Sequence, residues 1–454
     1  MAYQSTNPAS GKSVANFATW TGSQLDAALT QVSATALGWA ATPLAERCQL
    51  LHKLATVVRA EQESLAQLVT LEMGKRIAES RAEVEKCAQG CEFYAEQASV
   101  FLADELIETD AGKSLVAYQP LGTVLAVMPW NFPLWQVFRF IAPTLAAGNT
   151  GLLKHASNVP QCALAIERLV REAGFPEGVF RTLMIDAREV AEVIADPRVQ
   201  AVTLTGSEPA GRAVAAVAGE HLKKSVLELG GADAFVVLED ADLDLAVQQA
   251  VASRFLNCGQ SCIAAKRFIV VDAIADEFVA RFVDAVGRLH PGNPVDEKTT
   301  LAPMARVDLR DELHDQVLAS IAAGAVVLVG GEPVAGPGAF YAATILDQVM
   351  PGTVAYEQEL FGPVAAVIRV ADEAEALTVS NASRFGLGGS VWTQNTARGE
   401  QFARQMQCGS AFVNGMVKSD PRLPFGGIKA SGYGRELSQH GLREFVNTKT
   451  LWVK

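Results

Sequence analysis

The sequence has no apolar run that could cross a membrane and no cluster of basic residues. Runs such as AFVVL, residues 234–238, are far shorter than the roughly 20 residues of a spanning helix. The 38 lysines and arginines are outnumbered by 50 acidic residues, which gives a formal net charge of −12. We therefore expect neither a nucleic acid nor a membrane surface as a partner.

A secretory signal and a disulfide framework are also missing. The opening stretch MAYQSTNPASGKSV lacks a basic start and an apolar core. Seven cysteines, an odd number without regular spacing, are typical of a reducing compartment, so we expect a cytoplasmic protein. The six histidines occupy no evident catalytic setting, which weakens the case for a cysteine–histidine hydrolase.

The sequence does contain the pattern of an α/β protein. Residues 22–104 are predicted as helices, because apolar residues such as Leu25, Leu29 and Val32 recur at helical spacing. Short β-branched runs then alternate with Ala-rich helical stretches, and a second series of runs follows Glu228. Such alternation predicts βαβ units and parallel sheets covered on both faces. A chain of 454 residues is too long for one core, so we expect two domains.

The usual fingerprints of nucleotide binding, GxGxxG and GxxxxGK followed by Ser or Thr, are absent. One candidate phosphate site remains at residues 201–218, AVTLTGSEPAGRAVAAVA. It is predicted as a strand, a turn at Gly206, an N-cap at Ser207 and a helix with Pro209 in its first turn. Free N–H groups at a helix start attract anions, but an ordinary capped turn has the same pattern. Both interpretations stay open on the pattern alone.

The segment NCGQSCIAAKR, residues 257–267, places two cysteines four residues apart. Zinc binding is disfavoured, because Cys258 and Cys262 have no CxxC or histidine companion nearby. A stable disulfide is disfavoured in a reducing compartment. A nucleophilic thiol and a small buried cysteine remain as the alternatives for Cys262.

A nucleophilic thiol needs a base or a cation, and the sequence offers Glu228 in SVLELGGA. Its neighbours Val226, Leu227 and Leu229 are apolar. Burial among such residues raises the pKa of a carboxyl group towards neutrality, where it can act as a general base. A structural glutamate with a buried partner is the alternative.

Taken together and in this order, several segments resemble the aldehyde dehydrogenase family. They are NPASGK at 7–12, EMGK at 72–75, MPWNFP at 128–133, LTGS at 204–207, LELGG at 227–231, GQSC at 259–262, EQELFGPV at 357–364 and PFGGIKASG at 424–432. Their joint occurrence is highly specific and spans nearly the whole chain. The most similar branch is that of the bacterial succinate-semialdehyde dehydrogenases, through PWNFPLWQVFR, GLLKHASNV, AAKRFIV and PMARVDLRDELHDQV.

The resemblance implies a Rossmann-type dinucleotide-binding domain, an α/β catalytic domain and a small β arm for oligomerisation. The corresponding ranges are 1–104 with 121–227 for the cofactor-binding domain, 228–418 for the catalytic domain, and 105–120 with 436–454 for the arm. The runs SLVAYQP and TLWV are predicted as strands outside either core; they pair with another subunit or are covered internally. A homodimer or homotetramer is expected.

The resemblance also implies three catalytic residues. Cys262 would attack the aldehyde carbon, while the Asn131 side chain and the Cys262 backbone N–H would hold the oxyanion. Glu228 would activate the water that hydrolyses the resulting thioester. Cys258 matches no essential position. We interpret it as a silent small residue, with a reversible disulfide to Cys262 under oxidation as the alternative.

Seven residues are implied to bind a nicotinamide cofactor, either NADP or NAD. They are Trp130, Lys154, Ser157, Gly206, Ser207, Glu359 and Phe361. Lys154 would bind the adenosine ribose, and Glu359 the nicotinamide ribose. Gly206 and Ser207 would approach the pyrophosphate.

Five residues are expected to contact the substrate. They are Arg139, Phe132, Trp135, Ser419 and Phe425. Arg139 matches an arginine of the succinate-semialdehyde enzymes, and a guanidinium suits a carboxylate; a structural salt bridge is the alternative. A second arginine of those enzymes is replaced here by Leu256, a loss that Lys418 and Ser419 would offset.

These observations predict an NAD(P)-dependent aldehyde dehydrogenase that oxidises succinate semialdehyde or a similar short semialdehyde, without a metal in its chemistry. A general aliphatic aldehyde dehydrogenase and a non-redox thiol esterase or acyl transferase are the alternatives. The water-activating Glu228 argues for hydrolysis of the thioester rather than its transfer.

Position 157 provides a test of cofactor choice. Family members strict for NAD often carry Glu three residues after the lysine, where its carboxylate repels a 2′-phosphate; this chain has Ser157 after Lys154. We predict that Ser157→Glu lowers kcat/KM with NADP by at least about tenfold, and with NAD far less, because like charges repel. Ser157→Gln, which adds bulk without charge, is the matched control. Equal losses with both cofactors in steady-state kinetics would contradict this account.

Overall fold

The computed structural model describes residues 3–454, so Met1 and Ala2 of the predicted range 1–104 lie outside the described residues. The helices are α1 Gly22–Ala41, α2 Leu44–Ala60, α3 Gln62–Met73, α4 Ile77–Phe101, α5 Trp135–Ala146, α6 Pro160–Glu172, α7 Val190–Ala195, α8 Glu208–Glu220, α9 Leu243–Phe255, α10 Asp272–Val286, α11 Val307–Ala322, α12 Val354–Glu357, α13 Glu373–Asn381, α14 Thr396–Gln405 and α15 Ser438–Arg443. Short 3-10 helices occupy Ala187–Glu189 and Leu256–Gly259.

The strands follow the helices in an alternating order over most of the chain. They are β1 Tyr3–Thr6, β2 Ser13–Phe17, β3 Glu105–Leu106, β4 Lys113–Pro120, β5 Thr123–Met128, β6 Thr150–His155, β7 Phe180–Thr182, β8 Val199–Thr205, β9 Lys224–Glu228, β10 Asp233–Val237, β11 Ala265–Val271, β12 Val326–Val329, β13 Thr344–Asp347, β14 Val364–Val370, β15 Phe385–Gly386, β16 Gly388–Trp392, β17 Ser410–Val413, β18 Ile428–Lys429, β19 Gly432–Tyr433 and β20 Val446–Val453. The α/β class predicted from the alternation is confirmed.

Two large sheets contain the two predicted series of strands. The first has the order β19-β9-β8-β5-β6-β7, and the second has the order β12-β13-β14-β11-β10-β16-β17. Strands β5 to β9 are parallel to one another, and the short β19 joins them antiparallel. The second sheet is parallel except for its edge strand β12.

The first sheet is covered on both faces, as predicted. Helices α2 to α6 form one core with it, and α1, α7 and α8 contribute to another. The predicted apolar face of α1 packs in that second core, where Leu25, Leu29 and Val32 are buried. A parallel sheet needs both covers, because its strands are apolar on both sides.

The predicted helical region 22–104 is divided into four helices for identifiable reasons. Pro43, which precedes α2, cannot continue the hydrogen bonding of α1. Gly74 has φ of 84° and ends α3 in the left-handed conformation that glycine adopts most readily.

The two sheets are joined by a short connection between the end of β9 and the start of β10. Glu228 ends β9 at the carboxyl edge of the first sheet, and Asp233 begins β10 at the amino edge of the second. The five residue steps between them span at most about 18 Å, so the two edges must lie close together. We call this boundary, with its connection 229–232, the seam.

In open parallel sheets, ligands bind beyond the carboxyl ends of the strands where the strand order reverses. The first sheet reverses its order at β5, between β6 and β8.

A separate antiparallel sheet contains the two strands predicted to lie outside either core. Strand β20 pairs with β4 along its full length, and β4 also pairs with β3. Trp452 and Val453 in β20 are 51% and 57% exposed. Within the predicted range 436–454, however, α15 packs against α4 and α5, so only the terminal strand joins this sheet.

The N-terminal hairpin of β1 and β2 is not predicted from the sequence. Its Tyr3 side chain is buried and donates to the carbonyl oxygen of Ile185 at 2.8 Å. In the described residues, no helix is both long and apolar enough to span a bilayer.

Candidate active site

Cys262 follows a strained turn that leads into β11. Asn257, Cys258 and Gly259 have φ values of 54°, 54° and 72°, so three consecutive residues are left-handed. Each non-glycine residue in this conformation costs about 1–2 kcal/mol, and such strain persists only where the surroundings hold it. The Asn257 side chain provides such a contact, because its Nδ2 donates to the carbonyl oxygen of Asn131 at 2.8 Å.

Lys266 is absent from the predicted site residues, yet it stabilises the turn from within. Its side chain is buried, and Nζ donates to the carbonyl oxygens of Ser261 (2.9 Å) and Cys262 (2.7 Å). The same ammonium forms an ion pair with Glu359 at 3.1 Å. A lysine inside the buried strand AKRFIVV is the sequence signal that indicates such a role, because a buried ammonium requires oxygen partners.

The Cys262 side chain is half-buried and lines a cleft of about 210 Å³. Burial raises the pKa of the Cys262 thiol to about 12, although the positive charges of Lys266 and Arg139 act in the opposite direction. The thiol is therefore protonated at neutral pH and needs a base before it can attack as a thiolate. Cys258 instead packs in the core of the second sheet.

Glu228 is buried at the carboxyl end of β9, and both of its carboxylate oxygens lack a hydrogen-bond partner within residues 3–454. Burial raises the pKa of Glu228 well above its ordinary value, and the negative charge of Glu436 adds to this effect. A carboxyl group in this setting holds a proton more firmly than an ordinary glutamate does. The alternative of a structural glutamate with a hydrogen-bonded partner receives no support from these contacts.

Two glycines allow the catalytic groups to approach the backbone. A Cβ at Gly231 would lie 2.7 Å from the carbonyl oxygen of Cys262. A Cβ at Gly426 would lie 2.5 Å from Oε1 of Glu228, and Gly426 has φ of +149°, which also favours glycine. The LELGG and PFGG segments thus contact the two predicted catalytic residues directly.

Asn131 follows β5 and is buried against the turn that carries Cys262. Its Nδ2 donates to the carbonyl oxygen of Gln260 at 3.0 Å, and its Oδ1 accepts from Nε2 of Gln136 at 3.1 Å. A side-chain amide has two N–H groups, so one donor of Asn131 remains for an oxyanion. The geometry fits the predicted role, which stays a prediction.

The cleft brings together Cys262 and all five predicted substrate residues. Its lining includes Phe132, Trp135, Arg139, Cys262, Lys418, Ser419 and Phe425. Asn131 and Glu228 are not among the lining residues, and both are buried. Leu256 also lines the cleft, so an apolar side chain faces the substrate at that position.

Arg139 is buried and pairs with Glu436. Its Nη2 donates to Oγ1 of Thr205 at 3.3 Å, and its guanidinium lies 4.7 Å from the ring centroid of Phe425. The salt bridge given as the alternative for Arg139 is therefore present, while the residue also lines the cleft.

The predicted cofactor residues lie at the carboxyl edge of the first sheet and across the seam. Trp130 and Phe361 pack edge to face, with ring centroids 5.9 Å apart. Glu359 accepts from the N–H of Gly231 at 3.1 Å as well as from Lys266. The Lys154 side chain is buried at the end of β6, whereas Ser157, just beyond it, is exposed.

The strand–turn–helix predicted around Gly206 is confirmed, with Ser207 as the N-cap of α8. The Ser207 side chain forms no capping hydrogen bond, so it leaves the first N–H groups of α8 available to a ligand. Gly206 donates its N–H to the carbonyl oxygen of Glu228 at 2.9 Å, which ties this turn to the end of β9.

Further charged residues of the cleft were not predicted. Lys75 and Glu83 form a buried ion pair, and Oε1 of Glu83 accepts from the N–H groups of Leu134 (2.9 Å) and Trp135 (3.0 Å) at the start of α5. Lys86 also lines the cleft. Lys75 lies in the turn between α3 and α4, and Glu83 and Lys86 lie on α4; the sequence did not predict that their charges face inwards.

The sequence matches one family model, described as the aldehyde dehydrogenase family, over residues 1–451. A protein of Synechocystis named probable succinate-semialdehyde dehydrogenase (NADP(+)) is 51% identical over 453 residues, covering 100% of both chains. A protein of Mycobacterium ulcerans named succinate-semialdehyde dehydrogenase (NADP(+)) 1 is 50% identical, again over 100% of both chains.

Among solved structures, the chain is similar to a succinic semialdehyde dehydrogenase from Streptococcus pyogenes, determined in complex with NADP+. The TM-score is 0.98 at 39% identity, and 100% of each chain is covered. The fold and its sheet arrangement are thus shared along the entire length.

The raised pKa of the nucleophilic thiol gives a testable pH dependence. The thiolate is the reactive form, so alkylation of Cys262 by iodoacetamide in the cofactor-free protein should accelerate about tenfold for each pH unit between roughly pH 7 and 10. Peptide mass spectrometry measures the rate at this residue, and Cys262→Ser is the control that removes the signal. A plateau reached near neutral pH would contradict the effect of burial on Cys262.

Proposed function

Because the chain belongs to the aldehyde dehydrogenase family, we propose that it oxidises succinate semialdehyde, or a similar short semialdehyde, to the carboxylate with NADP or NAD as the hydride acceptor. The observation that carries this proposal is the cleft in which Cys262 faces Arg139 and apolar walls. The names of the Synechocystis and Streptococcus pyogenes relatives support both the substrate and NADP.

In the first step, the Cys262 thiol loses its proton to the Glu228 carboxylate, which passes it to solvent, and the thiolate sulfur attacks the aldehyde carbon and forms a thiohemiacetal. Negative charge grows on the former carbonyl oxygen, and the free N–H of the Asn131 amide and the Cys262 backbone N–H stabilise it. Fixed donors of this kind lower the barrier by about 3–4 kcal/mol each. Because Gln260 and Gln136 fix the Asn131 amide, little reorganisation is needed when the charge develops.

A nicotinamide held beside Trp130 and Phe361 would supply the hydride acceptor for the thiohemiacetal carbon, and Cys262 would then carry a thioester. Glu228 then takes a proton from water, and the resulting hydroxide attacks the thioester and releases the carboxylate and the thiol. A base with a raised pKa holds the proton more firmly once it has taken it. Burial of Glu228 among apolar side chains provides that property.

The residues at the first sheet's carboxyl edge fit a dinucleotide. The open N-cap of α8 at Ser207 suits the pyrophosphate, because helix N-termini bind anions. Lys154 and Glu359 suit the two riboses, and Trp130 with Phe361 flanks the nicotinamide side. Ser157 is exposed and uncharged, which leaves room for a 2′-phosphate.

The substrate side of the site is proposed to consist of the residues that line the cleft opposite the cofactor. Phe132, Trp135 and Phe425 form its apolar walls, and Arg139 with Ser419 contacts the substrate carboxylate. A general aliphatic aldehyde dehydrogenase would not need these polar contacts.

We further propose that the chain divides into a cofactor-binding domain (1–104 and 121–227), a catalytic domain (228–418) and an arm (105–120 and 436–454). The exposed strand β20 supports an association into a homodimer or homotetramer, because its free edge and apolar side chains are available for pairing. The free cysteines support a cytoplasmic location.

Reduction of NADP on addition of succinate semialdehyde tests the proposed function. We expect the absorbance of reduced nicotinamide to rise with the unmodified protein and to stay flat with Cys262→Ala, because the thioester cannot form. The exchange of a second, buried cysteine, Cys258→Ala, is the matched control and should retain turnover. Hydrolysis of an activated ester without any dependence on aldehyde plus NADP would favour the non-redox thiol esterase instead.

The role of Glu228 can be tested by Glu228→Gln. The amide cannot take a proton from water, so the variant should reduce about one NADP per active site in a rapid burst and then turn over about 10²–10⁴ times more slowly. Because its pKa is raised, the base form of Glu228 gains population as the pH rises, and thioester hydrolysis should accelerate accordingly; the variant should lose this dependence. Glu220→Gln at the exposed end of α8 is the control. A variant without a burst would place the slow step before hydride transfer.

A further inference from the structure

Most charges that line the cleft are neutralised within the protein. Lys75 pairs with Glu83, and Arg139 pairs with Glu436. Glu79, another lining residue, pairs with Arg76 at 2.5 Å. These pairs contribute little net charge to the cleft, so they do not by themselves attract a negatively charged substrate.

Lys86 differs from these groups. It lies on α4, lines the cleft, and forms no ion pair with any residue in the range 3–454. Its Nζ donates to Oγ of Ser419 at 2.6 Å and lies 4.5 Å from the ring centroid of Trp135. The nearby Asp420 already pairs with Arg422. Lys86 therefore brings a positive charge to the cleft wall that no carboxylate of the described chain neutralises.

The hydrogen bonds around Ser419 determine what its hydroxyl can do. Its oxygen accepts from Nζ of Lys86 at 2.6 Å and from Nε1 of Trp135 at 3.2 Å. A hydroxyl oxygen has two lone pairs and one hydrogen, so these two donors leave only the O–H free. Ser419 must then donate its hydrogen to a further acceptor, and a carboxylate oxygen in the cleft is suitable.

We propose that Lys86 selects aldehydes that carry a carboxylate, by supplying the uncompensated charge and by orienting the Ser419 hydroxyl towards that carboxylate. The inference rests on the proposed function and names a residue that sets its substrate class. Charge-assisted hydrogen bonds are about twice as strong as neutral ones. Lys86 thus takes over the part of the arginine that Leu256 replaces, from a different element of the fold.

The same contacts allow a purely structural role, in which the Lys86 stem only covers Trp135. The two roles differ in their effect on two substrates. If Lys86 supplies a selecting charge, its loss weakens the binding of succinate semialdehyde. The binding of butanal, an uncharged aldehyde of similar length, is then nearly unaffected. If Lys86 only packs against Trp135, its loss weakens the binding of both aldehydes alike.

The experiment compares Lys86→Met, Lys86→Gln and Lys86→Arg with the unmodified protein in steady-state kinetics with NADP. We expect the KM for succinate semialdehyde to rise about tenfold to a hundredfold in the Met and Gln variants, with butanal changed less than about threefold. Gln retains a donor for Ser419 without the charge, so it separates the two contributions. Arg should restore most of the preference. Lys53→Met, on the exposed face of α2, is the matched control.

A pH profile provides a second readout. Burial lowers the pKa of Lys86 to about 8; Arg139 acts in the same direction, and the charges of Cys87, Glu83 and Asp420 oppose it. The ammonium is lost as the pH rises through this value. The ratio of kcat/KM for succinate semialdehyde to kcat/KM for butanal should therefore fall above about pH 8 in the unmodified protein and stay flat in Lys86→Met.

The outcomes separate the two proposals. If the unmodified protein reduces neither NADP nor NAD with succinate semialdehyde or a similar short semialdehyde, the proposed function is wrong. If it does so but the substrate ratio in Lys86→Met and Lys86→Gln equals that of the unmodified protein, only the role of Lys86 is overturned. If the ratio of kcat/KM for the two aldehydes changes in Lys418→Met instead, the selecting charge belongs to Lys418, the exposed lysine at the cleft rim.

Discussion

The ammonium of Lys266 is the contact on which the active-site seam depends. From one buried position it binds carbonyl oxygens of the nucleophile turn and the carboxylate of Glu359. A single charge therefore holds the turn that carries Cys262 together with Glu359, a residue proposed to bind the cofactor. An unpaired ammonium in this environment would cost several kcal/mol, so the turn carbonyls and Glu359 stabilise the lysine as much as it stabilises them.

The same low-polarity environment has the opposite effect on groups without a partner. Within residues 3–454, Glu228 finds no donor for its carboxyl oxygens, and its pKa rises; the charge of a Cys262 thiolate is only partly compensated, and the pKa of this thiol rises too. Burial thus makes both groups bind a proton more firmly than they would in water. The arrangement stabilises the fold less than paired groups would, which is the usual cost of a site prepared for acid–base chemistry.

Local patterns predicted the fold class, both series of strands and the segments that meet at the seam, because these features depend on short-range periodicity and on turns. The short runs around Cys262 and Glu228 made both residues candidates, and the resemblance to the aldehyde dehydrogenase family assigned their predicted roles. Lys86 was not found, because its meaning depends on Ser419, 333 residues away in the chain. No periodicity encodes such a contact. Lys266 was missed for the same reason, since only its carbonyl partners identify its role.

Chemistry and recognition are supplied by different parts of the molecule. In the proposed mechanism, Glu228 reacts at the end of β9 and Cys262 reacts just before β11, and Gly231 and Gly426 leave no space for larger side chains beside them. The residues proposed to recognise the substrate come from α4, α5 and the segment before β18. Because exchanges on these helices need not disturb the seam, this architecture permits new substrate preferences to evolve while the oxidation itself is conserved.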